Sequence, residues 1–537
     1  MSLPWSQHLI LVPVLLPLLC GALLILFNES RHQLKFAINL ASVLGLLATA
    51  IMLMTMTDGG YWQDGIGVYL AANWAAPFGI VLVADRLAAL LLLLTAVLAS
   101  CALLYSMLRW SRIGVHFHSL FQFLLMGING TFLTHDLFNL FVFFEVMLAA
   151  SYGLVLHGYN LNRIRAGMQF IAVNLVASLM FLIGVALIYA TAGTLNMSDL
   201  AMRLAEIDGA DLVLLQVGAA ILGLAFLIKS AMWPLGFWLP VTYAAVSPPV
   251  AAMFVLMTKV GAYVILRLWL LVFSPESGSA AGFGGSALLW GGMATIVFGA
   301  AGMLASDKHG KLASYAAIIS SGTLLAVIGL GQPALVTAGL FYLLSSTLAV
   351  AAFMLLIELV ERSRNPVEAM LALTMEAFDF EEAPEQPVGV GIPAALAFLG
   401  LSFAGCALVI TGLPPLSGFI AKFTLFHALL SGEDGVVAPF NLALMTLILL
   451  SGMAAIIALM RFGVRTFWAS GAVNARLKFS EAVPVALLLG CCVFLTLQAG
   501  PVFAYLERAS ADLHRPALYI ETVLSEPVVP GIQEGGQ

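Results

Sequence analysis

Long apolar stretches alternate with short polar segments along almost the whole chain. A run of about 20 apolar residues is long enough for a helix to cross the hydrocarbon core of a bilayer. The pattern therefore predicts an all-α polytopic membrane protein with about 14 transmembrane helices. The predicted spans, numbered 1 to 14 in chain order, cover residues 8–28, 35–56, 79–107, 115–134, 136–158, 164–191, 211–246, 248–274, 285–305, 312–331, 333–360, 393–431, 439–463 and 481–504.

Spans 7 and 12 are too long for a single crossing. As one helix, span 7 would be roughly 54 Å long, against a hydrocarbon core of about 30 Å. Pro234, Gly236 and Pro240 interrupt span 7, and Pro414 and Pro415 interrupt span 12. We therefore predict that both are broken helices, a feature that builds ion sites in secondary transporters.

The positions of the breaks predict an internal repeat. Spans 4–8 and spans 9–13 form two sets of five, and in each set the fourth span is broken. Because five is an odd number, the second set would enter the membrane from the opposite side, which is the inverted repeat of many transporters. The predicted units are the N-terminal spans (1–110), the first repeat (115–274), the second repeat (285–465) with a polar cytoplasmic loop (361–390), span 14 (481–504) and an external tail interpreted as coil (505–537).

Basic residues predict the orientation, because cytoplasmic loops are enriched in Lys and Arg. The loops that follow odd-numbered spans contain Arg31, Lys35, Arg109, Arg112, Arg163, Arg165, Lys308, Lys311, Arg362, Arg364, Arg461, Arg465, Arg476 and Lys478. The opposite side has only Arg86, Arg203, Arg267, Arg508 and Arg515. Both termini are therefore predicted to be external.

Composition narrows the class of protein. The chain has 537 residues, of which 62% are hydrophobic and 9% charged, and its mean hydropathy is +1.04. The five cysteines lie in apolar runs without metal-ligand spacing. Phosphate-binding glycine loops, zinc spacings, haem or cluster ligation and nucleophile elbows are absent from the sequence. We therefore expect no cofactor, no metal and no nucleic-acid partner. We also expect the protein to be a membrane-embedded transporter component and not an enzyme.

Four ionisable residues lie inside the predicted spans: Glu145, Lys229, Lys259 and Lys422. Such residues are costly in a membrane, usually face the interior of the helix bundle and mark ion or proton paths. Burial disfavours the charged form of any such group, and a nearby opposite charge favours it. A Glu145–Lys229 pair whose separation changes would thus have a switchable affinity for protons. We predict a proton chain running from Glu145 through Lys229 and Lys259 to Lys422.

A purely structural role is the alternative for these residues. Glu145 could be a protonated acid in a packed interface, and a lysine can extend its side chain to the membrane surface. Lys259 lies too near the middle of span 8 for that extension. In addition, Pro234 and Pro415 free backbone carbonyls that must then line a protein cavity.

Several secondary candidates surround the chain of four. Ser320, Ser321 and Tyr315 on span 10 could hold waters between charged centres, although hydroxyls on membrane helices more often bond their own backbone. His427 could assist Lys422 but is more often an interface histidine. We expect the remaining polar pairs to be structural: Asp85–Arg86 as a neutralised pair at the external end of span 3, and His135–Asp136 as a solvated external turn.

These residues resemble a known family. The chain is similar to the D subunits of the multi-component Mrp-type (Pha/Mnh) cation/proton antiporters, which resemble the antiporter-like subunits of respiratory complex I and membrane-bound hydrogenases. The segments that carry the resemblance are GIVLVAD (79–85), FQFLLMGING (121–130), DLFNLFVFFE (136–145), IKSAMWPLGFWLP (228–240), PPVAA (248–252), TKVG (258–261) and GLPPLSG (412–418).

The resemblance implies a role for each matching residue: Glu145 and Lys229 as the coupling pair, Lys259 as the bridging proton carrier and Lys422 as the exit lysine. It also implies a bacterial cytoplasmic membrane and assembly with sister subunits that exchange H⁺ for Na⁺ or K⁺. Complex I relatives have a histidine where this chain has Val255, and often another near Ser320. Valine at position 255 favours the antiporter type. The absence of a histidine near Ser320 means that serines and water would have to relay protons through span 10.

Two alternatives remain open at this point. The chain could be a proton-pumping component of a complex I-like NADH:quinone oxidoreductase or a membrane hydrogenase, which would co-purify with flavin or iron–sulfur proteins. It could also be a passive scaffold, in which case neutralising all four ionisable residues would be tolerated.

Overall fold

The computed structural model describes residues 5–158, 160–363, 394–431, 437–468 and 477–528. Most of the predicted polar loop (361–390) lies outside the described residues, as does the tail beyond residue 528.

Helices occupy all fourteen predicted spans, so we label them α1 to α14 in the same order and divide the two broken ones into a and b. Within the described residues, thirteen helices are long and apolar enough to cross a membrane, and α4 has 17 residues. The prediction of an all-α polytopic membrane protein is therefore confirmed. The helices are α1 Ser6–Leu26, α2 His32–Asp58, α3 Arg86–Ser106, α4 Phe117–Leu133, α5 Leu137–Leu156, α6 Leu161–Ala192, α7a Gly209–Lys229, α7b Leu239–Ala245, α8 Pro248–Val272, α9 Gly285–Ala305, α10 His309–Leu330, α11 Pro333–Ser363, α12a Ala394–Thr411, α12b Ser417–Leu430, α13 Pro439–Gly463 and α14 Phe479–Leu497.

Helices α8 and α11 form the centre of the molecule. The most apolar stretch of each is completely buried inside the protein, and the two helices pack directly against each other. A helix that is apolar on every side can be buried in this way, because no face needs contact with water. Helices α1, α6 and α14 expose large apolar side chains at the periphery, where lipid can cover them.

Both predicted breaks are present. Helix α7a ends at Lys229, a 3₁₀ turn follows at Leu235–Trp238, and α7b then begins with Pro240 in its first turn, a position where proline's missing N–H is harmless. Helix α12a ends at Thr411 and α12b begins at Ser417. The inverted relation between the two five-helix sets stays a prediction.

The predicted start of span 3 was wrong. Residues 79–85 are not helical: Val81–Ala84 forms strand β2, which pairs antiparallel with strand β1, Gly67–Leu70. The helix starts only after Asp85, whose carboxylate accepts a hydrogen bond of 2.9 Å from the Ala88 amide and so caps α3. The buried apolar run Val81–Ala84 suits a strand as well as a helix, so apolarity alone misplaced the boundary.

The interpretation of the tail (505–537) as coil was also wrong for residues 505–524. Helix α15 (Ala499–Leu513) begins within predicted span 14 and continues into the tail, and α16 (Pro516–Leu524) follows it. Their buried faces include small residues such as Ala509 and Ser510, which weaken the apolar signal in the sequence. The Tyr505 hydroxyl donates to the Arg86 carbonyl and the Ser510 hydroxyl to the Pro333 carbonyl, both at 2.8 Å. Helix α15 therefore lies across the first turns of α3 and α11.

Asp85 and Arg86 do not form the neutralised pair that we predicted. Asp85 pairs instead with Arg267 of α8 at 2.7 Å, and both side chains are more than nine-tenths buried. Arg86 contacts Asp58 at 3.2 Å and Asp512 at 2.6 Å. The tail brings Asp512 to this place, so the pairing depends on contacts that are remote in sequence.

The predicted solvated turn at His135 is buried as well. His135 is 1% exposed, its Nε2 lies 2.7 Å from the Ser198 hydroxyl, and its Nδ1 lies 3.3 Å from the Tyr519 hydroxyl of α16. Burial lowers the pKa of His135 to about 3, which keeps the ring neutral at physiological pH. The ring of Tyr519 also faces the Arg267 guanidinium, which lies 5.2 Å from the ring centroid. The tail therefore seals a buried polar cluster.

Removal of the Asp85 carboxylate tests this cluster. Asp85→Ala leaves the Arg267 charge buried without its carboxylate, which typically costs about 3–5 kcal/mol. We expect the purified protein to lose its monodisperse elution peak at a markedly lower temperature in a heating series followed by size-exclusion chromatography. Asp307→Ala is the matched control, because Asp307 pairs with Arg465 at the exposed surface, where such pairs contribute about 0–1 kcal/mol. Equal stability of the two variants would contradict the assignment.

Candidate functional site

Lys229 lies at the end of α7a and is almost completely buried, with 1% exposure. Its Nζ is 3.5 Å from Asn174 Oδ1 on α6 and lies 5.8 Å and 5.5 Å from the ring centroids of Phe144 and Phe170. The negative end of the helix dipole and the faces of the two aromatic rings all stabilise an ammonium ion. This position can hold a positive charge inside the membrane.

Glu145 on α5 is half-buried, and its carboxylate accepts a hydrogen bond from the Ser178 hydroxyl of α6. Ser178 and Asn174 are one turn apart on α6 and so share one face of that helix. The Asn174 side-chain amide donates to the Phe170 carbonyl at 2.8 Å, which leaves its oxygen for Lys229. The face of α6 therefore links Glu145 to Lys229, which are not in direct ion-pair contact within the described residues.

Lys259 of α8 is fully buried and donates a hydrogen bond of 2.7 Å to the Ser320 hydroxyl of α10. The Ser320 hydroxyl is in turn 2.8 Å from the Ser346 hydroxyl of α11. One ammonium and two hydroxyls thus form a continuous hydrogen-bonded row across three helices. A hydroxyl can accept one proton while donating another, so this row has the chemistry needed to relay protons.

A small cavity of about 20 Å³ continues from this row towards Lys422. Its polar lining comes from Ser320, Tyr342, Ser345, Ser346, Lys422 and Ser451. That volume is enough for about one water molecule, and the lining supplies the several polar partners that a buried water needs. Ser320 and Lys422 therefore open into the same polar space.

Lys422 lies in α12b and is 9% exposed. Its Nζ donates to the Thr411 carbonyl at 2.7 Å and to the Ile410 carbonyl at 3.4 Å, two of the groups left unpaired where α12a ends. Gly412 has φ +80°, and a Cβ there would lie 2.5 Å from the Lys422 side chain. Glycine at this position thus lets the chain turn and leaves room for the lysine. Lys229 is the last residue of α7a, and the side chain of Lys422 contacts the carbonyl end of α12a, so each lysine is associated with the end of the first half of a broken helix.

Sequence reasoning missed several polar residues of this arrangement, among them Asn174, Ser178, Ser345 and Ser346. Ser345 adds a link to α12b, because its hydroxyl is 2.8 Å from that of Ser417. Signals for all four were present in the sequence. Asn174 and Ser178 are spaced by four in an otherwise apolar span, and Ser345 and Ser346 begin a Ser-Ser-Thr run in span 11.

Comparisons with known proteins now bear on this geometry. Residues 134–382 match the family model described as NADH:quinone oxidoreductase/Mrp antiporter, TM. The chain is 54% identical over 532 residues to the D component of a probable K(+)/H(+) antiporter of Rhizobium meliloti (strain 1021), with 97% of this chain and 98% of the relative covered. The chain belongs to the D-type family of Mrp cation/proton antiporter subunits.

Two further relatives agree with this assignment. The D component of the Na(+)/H(+) antiporter of Alkalihalophilus pseudofirmus is 32% identical over 527 residues, covering 97% of this chain and all of the relative. The structure of the Mrp complex from Dietzia sp. DQ12-45-1b contains a chain with a TM-score of 0.82 and 26% identity, covering 97% of this chain and 100% of that one. The resemblance seen in the sequence is confirmed.

Other predicted site residues of this Mrp antiporter component lie outside the hydrogen-bonded row of Lys259, Ser320 and Ser346. His427 lies in the last turn of α12b and is partly exposed. Tyr315 packs its ring against Phe298 of α9, with centroids 5.9 Å apart. Pro234 and Pro415 lie within the two breaks. They shape the backbone around Lys229 and Lys422 and contribute no proton-carrying group.

Two buried hydroxyls lie next in sequence to residues of this arrangement. Ser230 follows Lys229 directly and Ser321 follows Ser320, and neither hydroxyl has a hydrogen-bond partner among the described residues. A buried hydroxyl without a protein partner is commonly satisfied by water.

Proposed function

We propose that this chain is the proton-translocating membrane component of a multi-subunit antiporter that exchanges H⁺ for K⁺ or Na⁺. The observation that carries the proposal is the row from Lys259 through Ser320 and Ser346 to the cavity that Lys422 lines. Glu145, Ser178, Asn174 and Lys229 extend it on the other side. Buried titratable groups joined by hydroxyls are the parts that a proton relay through a membrane requires.

The proton steps follow from the chemistry of the groups. When the Lys259 ammonium transfers a proton to the Ser320 oxygen, the Ser320 hydroxyl proton passes to Ser346, and the serine is neutral again afterwards. Water would carry protons from Lys229 to Lys259, past Ser230 and Ser321, and from Ser346 to Lys422. Glu145 would set the charge of Lys229, because an anionic carboxylate favours the ammonium and a protonated one does not.

The exchanged cation and the partners are the finer part of the proposal. The name of the Rhizobium relative supports K⁺ and that of the Alkalihalophilus relative supports Na⁺. We propose assembly with sister subunits in the cytoplasmic membrane of a bacterium, with both termini external, as the distribution of Lys and Arg in the sequence suggests.

Transport by the whole complex tests the proposal. In everted vesicles with an imposed pH gradient, we expect added K⁺ or Na⁺ to dissipate the gradient, with Li⁺ as a third cation for comparison. Loss of the gradient independent of any cation, or no loss at all, would overturn the proposal. Co-purified flavin or iron–sulfur proteins would point instead to a redox-driven proton pump.

Substitution of Ser320 tests the relay itself. A hydrogen bond to a charged group is worth about 1.5–3 kcal/mol, so Ser320→Ala should slow exchange about tenfold or more. Ser314→Ala is the matched control, because Ser314 is a buried serine of the same helix whose hydroxyl donates to the Gly310 carbonyl of its own helix. Similar rates in the two variants would remove Ser320 from the pathway.

A further inference from the structure

A second cavity shares no lining residue with the cavity beside Lys422. It has a volume of about 650 Å³ and is bounded by α2, α3, α11, α14 and α15. We call it the lateral groove. Cavities that hold small-molecule ligands span about 300–1,000 Å³, so the groove is large enough to bind one.

The lateral groove is polar at one end only. Asp58, Gln498, Tyr505 and Arg508 line that end, close to where α2 and α14 finish and α3 begins. The rest of the lining is apolar, including Leu90, Leu93, Leu94 and Val97 of α3 and Leu344 and Leu348 of α11. This polarity matches a ligand with one polar end and a long apolar part.

The lining of the groove on α3 runs from Leu90 to Val97. That is seven residues, or about 10 Å along a helix. Half of the hydrocarbon core is about 15 Å. We therefore expect the groove to lie within one leaflet, where a lipid acyl chain that enters at the polar end would run along α3 towards the middle of the membrane.

A single acyl chain suits the apolar part of the lining, because it is narrow and needs no hydrogen-bond partners along its length.

The polar end offers donors for a phosphodiester. Arg508 uses its Nε and Nη2 to hold Asp58, both at 2.8 Å, and its side chain is 47% exposed. Its third nitrogen, Nη1, has no hydrogen-bond partner in the part of the chain that the structure describes, and the exposed Gln498 lines the same end of the groove. Guanidinium and amide N–H groups are standard donors to phosphate oxygens.

We propose that the lateral groove binds one glycerophospholipid, with an acyl chain against α3 and α11 and the phosphodiester at Arg508 and Gln498. The bound lipid fills a gap between the N-terminal helices and α14, so it acts as part of the packed structure. This site is independent of the proton row and of the proposed exchange activity.

Photocrosslinking tests the site in the intact antiporter complex. The probe is a phosphatidylethanolamine with a diazirine near the end of one acyl chain, mixed into vesicles of unlabelled phospholipid. After irradiation we expect adducts on α3 near Leu93 and Val97 and on α14 near Cys491. Their yield should exceed that on Leu175 and Leu179, which face lipid on α6, and should resist dilution with unlabelled lipid added after reconstitution.

Variants at the two ends of the groove make the test specific. Val97→Trp fills the apolar end, and Leu93→Phe is a milder substitution of the same kind if the first variant fails to assemble. Arg508→Gln removes the charged donor and should lower the groove adducts about tenfold, as expected for the loss of a charge-assisted hydrogen bond. Arg515→Gln, an arginine of the same tail that does not line the groove, should leave them unchanged.

Three outcomes would overturn the proposal. Groove adducts no more frequent than those on the outer face of α6 would mean bulk lipid only. Equal yields in Arg508→Gln, Val97→Trp and the Arg515→Gln control would mean that no defined site exists. Crosslinks from Cys491 to a sister protein in the assembled complex would show that protein fills the groove.

Discussion

Replacing Lys229 by methionine is expected to reduce cation-driven proton exchange by about 100-fold or more, the usual range for losing a positioned proton-transfer group. Methionine keeps a flexible side chain of similar length and removes only the charge and the proton. The position is enclosed by Phe144, Phe170 and Asn174, so the apolar replacement should fit without loss of folding. Everted vesicles that contain the complete complex provide the measurement.

The control for this substitution is Lys308→Met, which removes a lysine that is exposed at the start of α10. Both variants should reach the membrane in normal amounts, and only Lys308→Met should retain exchange. Normal exchange in Lys229→Met would refute the proposed proton path through Lys229. Absence of the variant protein from the membrane would assign Lys229 a role in folding.

The second large effect is expected for Lys259→Met, which removes the ammonium that donates to Ser320. In the proposed proton path Lys259 lies between Lys229 and Ser320. Its loss should therefore reduce exchange as strongly as the loss of Lys229, again by about 100-fold or more. The Ser320–Ser346 contact does not involve the ammonium and should persist. The defect would therefore lie in proton transfer and not in the packing of α10 and α11.

Thr258→Val is the matched control for Lys259→Met. Thr258 is the preceding residue, is equally buried, and its hydroxyl donates to the Val255 carbonyl of its own helix. We expect exchange close to that of the unmodified complex. A Lys259→Met complex that still exchanges cations would show that protons bypass α8.

Hydrophobicity predicted the transmembrane part of the fold, because burial in lipid requires long apolar helices whatever their neighbours are. The two breaks were predicted for a similar local reason, since proline cannot continue the hydrogen-bond ladder. Prediction from local patterns failed where the same composition suits two kinds of secondary structure. The apolar residues at Val81–Ala84 form a strand, and the tail forms helices whose buried faces contain alanine and serine.

The candidate site also contains residues that the sequence predicted and residues that it did not. Lys229, Lys259 and Lys422 were found because a charge within an apolar span is conspicuous, and the structure places all three inside the protein. Their roles in transport stay predictions. The partners were not predicted: Lys259 meets Ser320 of α10, and Asp85 meets Arg267 of α8, across long separations in sequence. Only the packing of the helices determines these pairs, and a single sequence carries no record of it.

The position of Tyr519 has a consequence for the biogenesis of the protein. The ring of Tyr519 covers Arg267 and reaches His135, yet it is synthesised hundreds of residues after both. During translation the earlier helices insert first, so the Arg267 guanidinium lacks the cover of Tyr519 until α16 has been synthesised. A chain that stops before α16 would therefore leave this polar cluster uncovered.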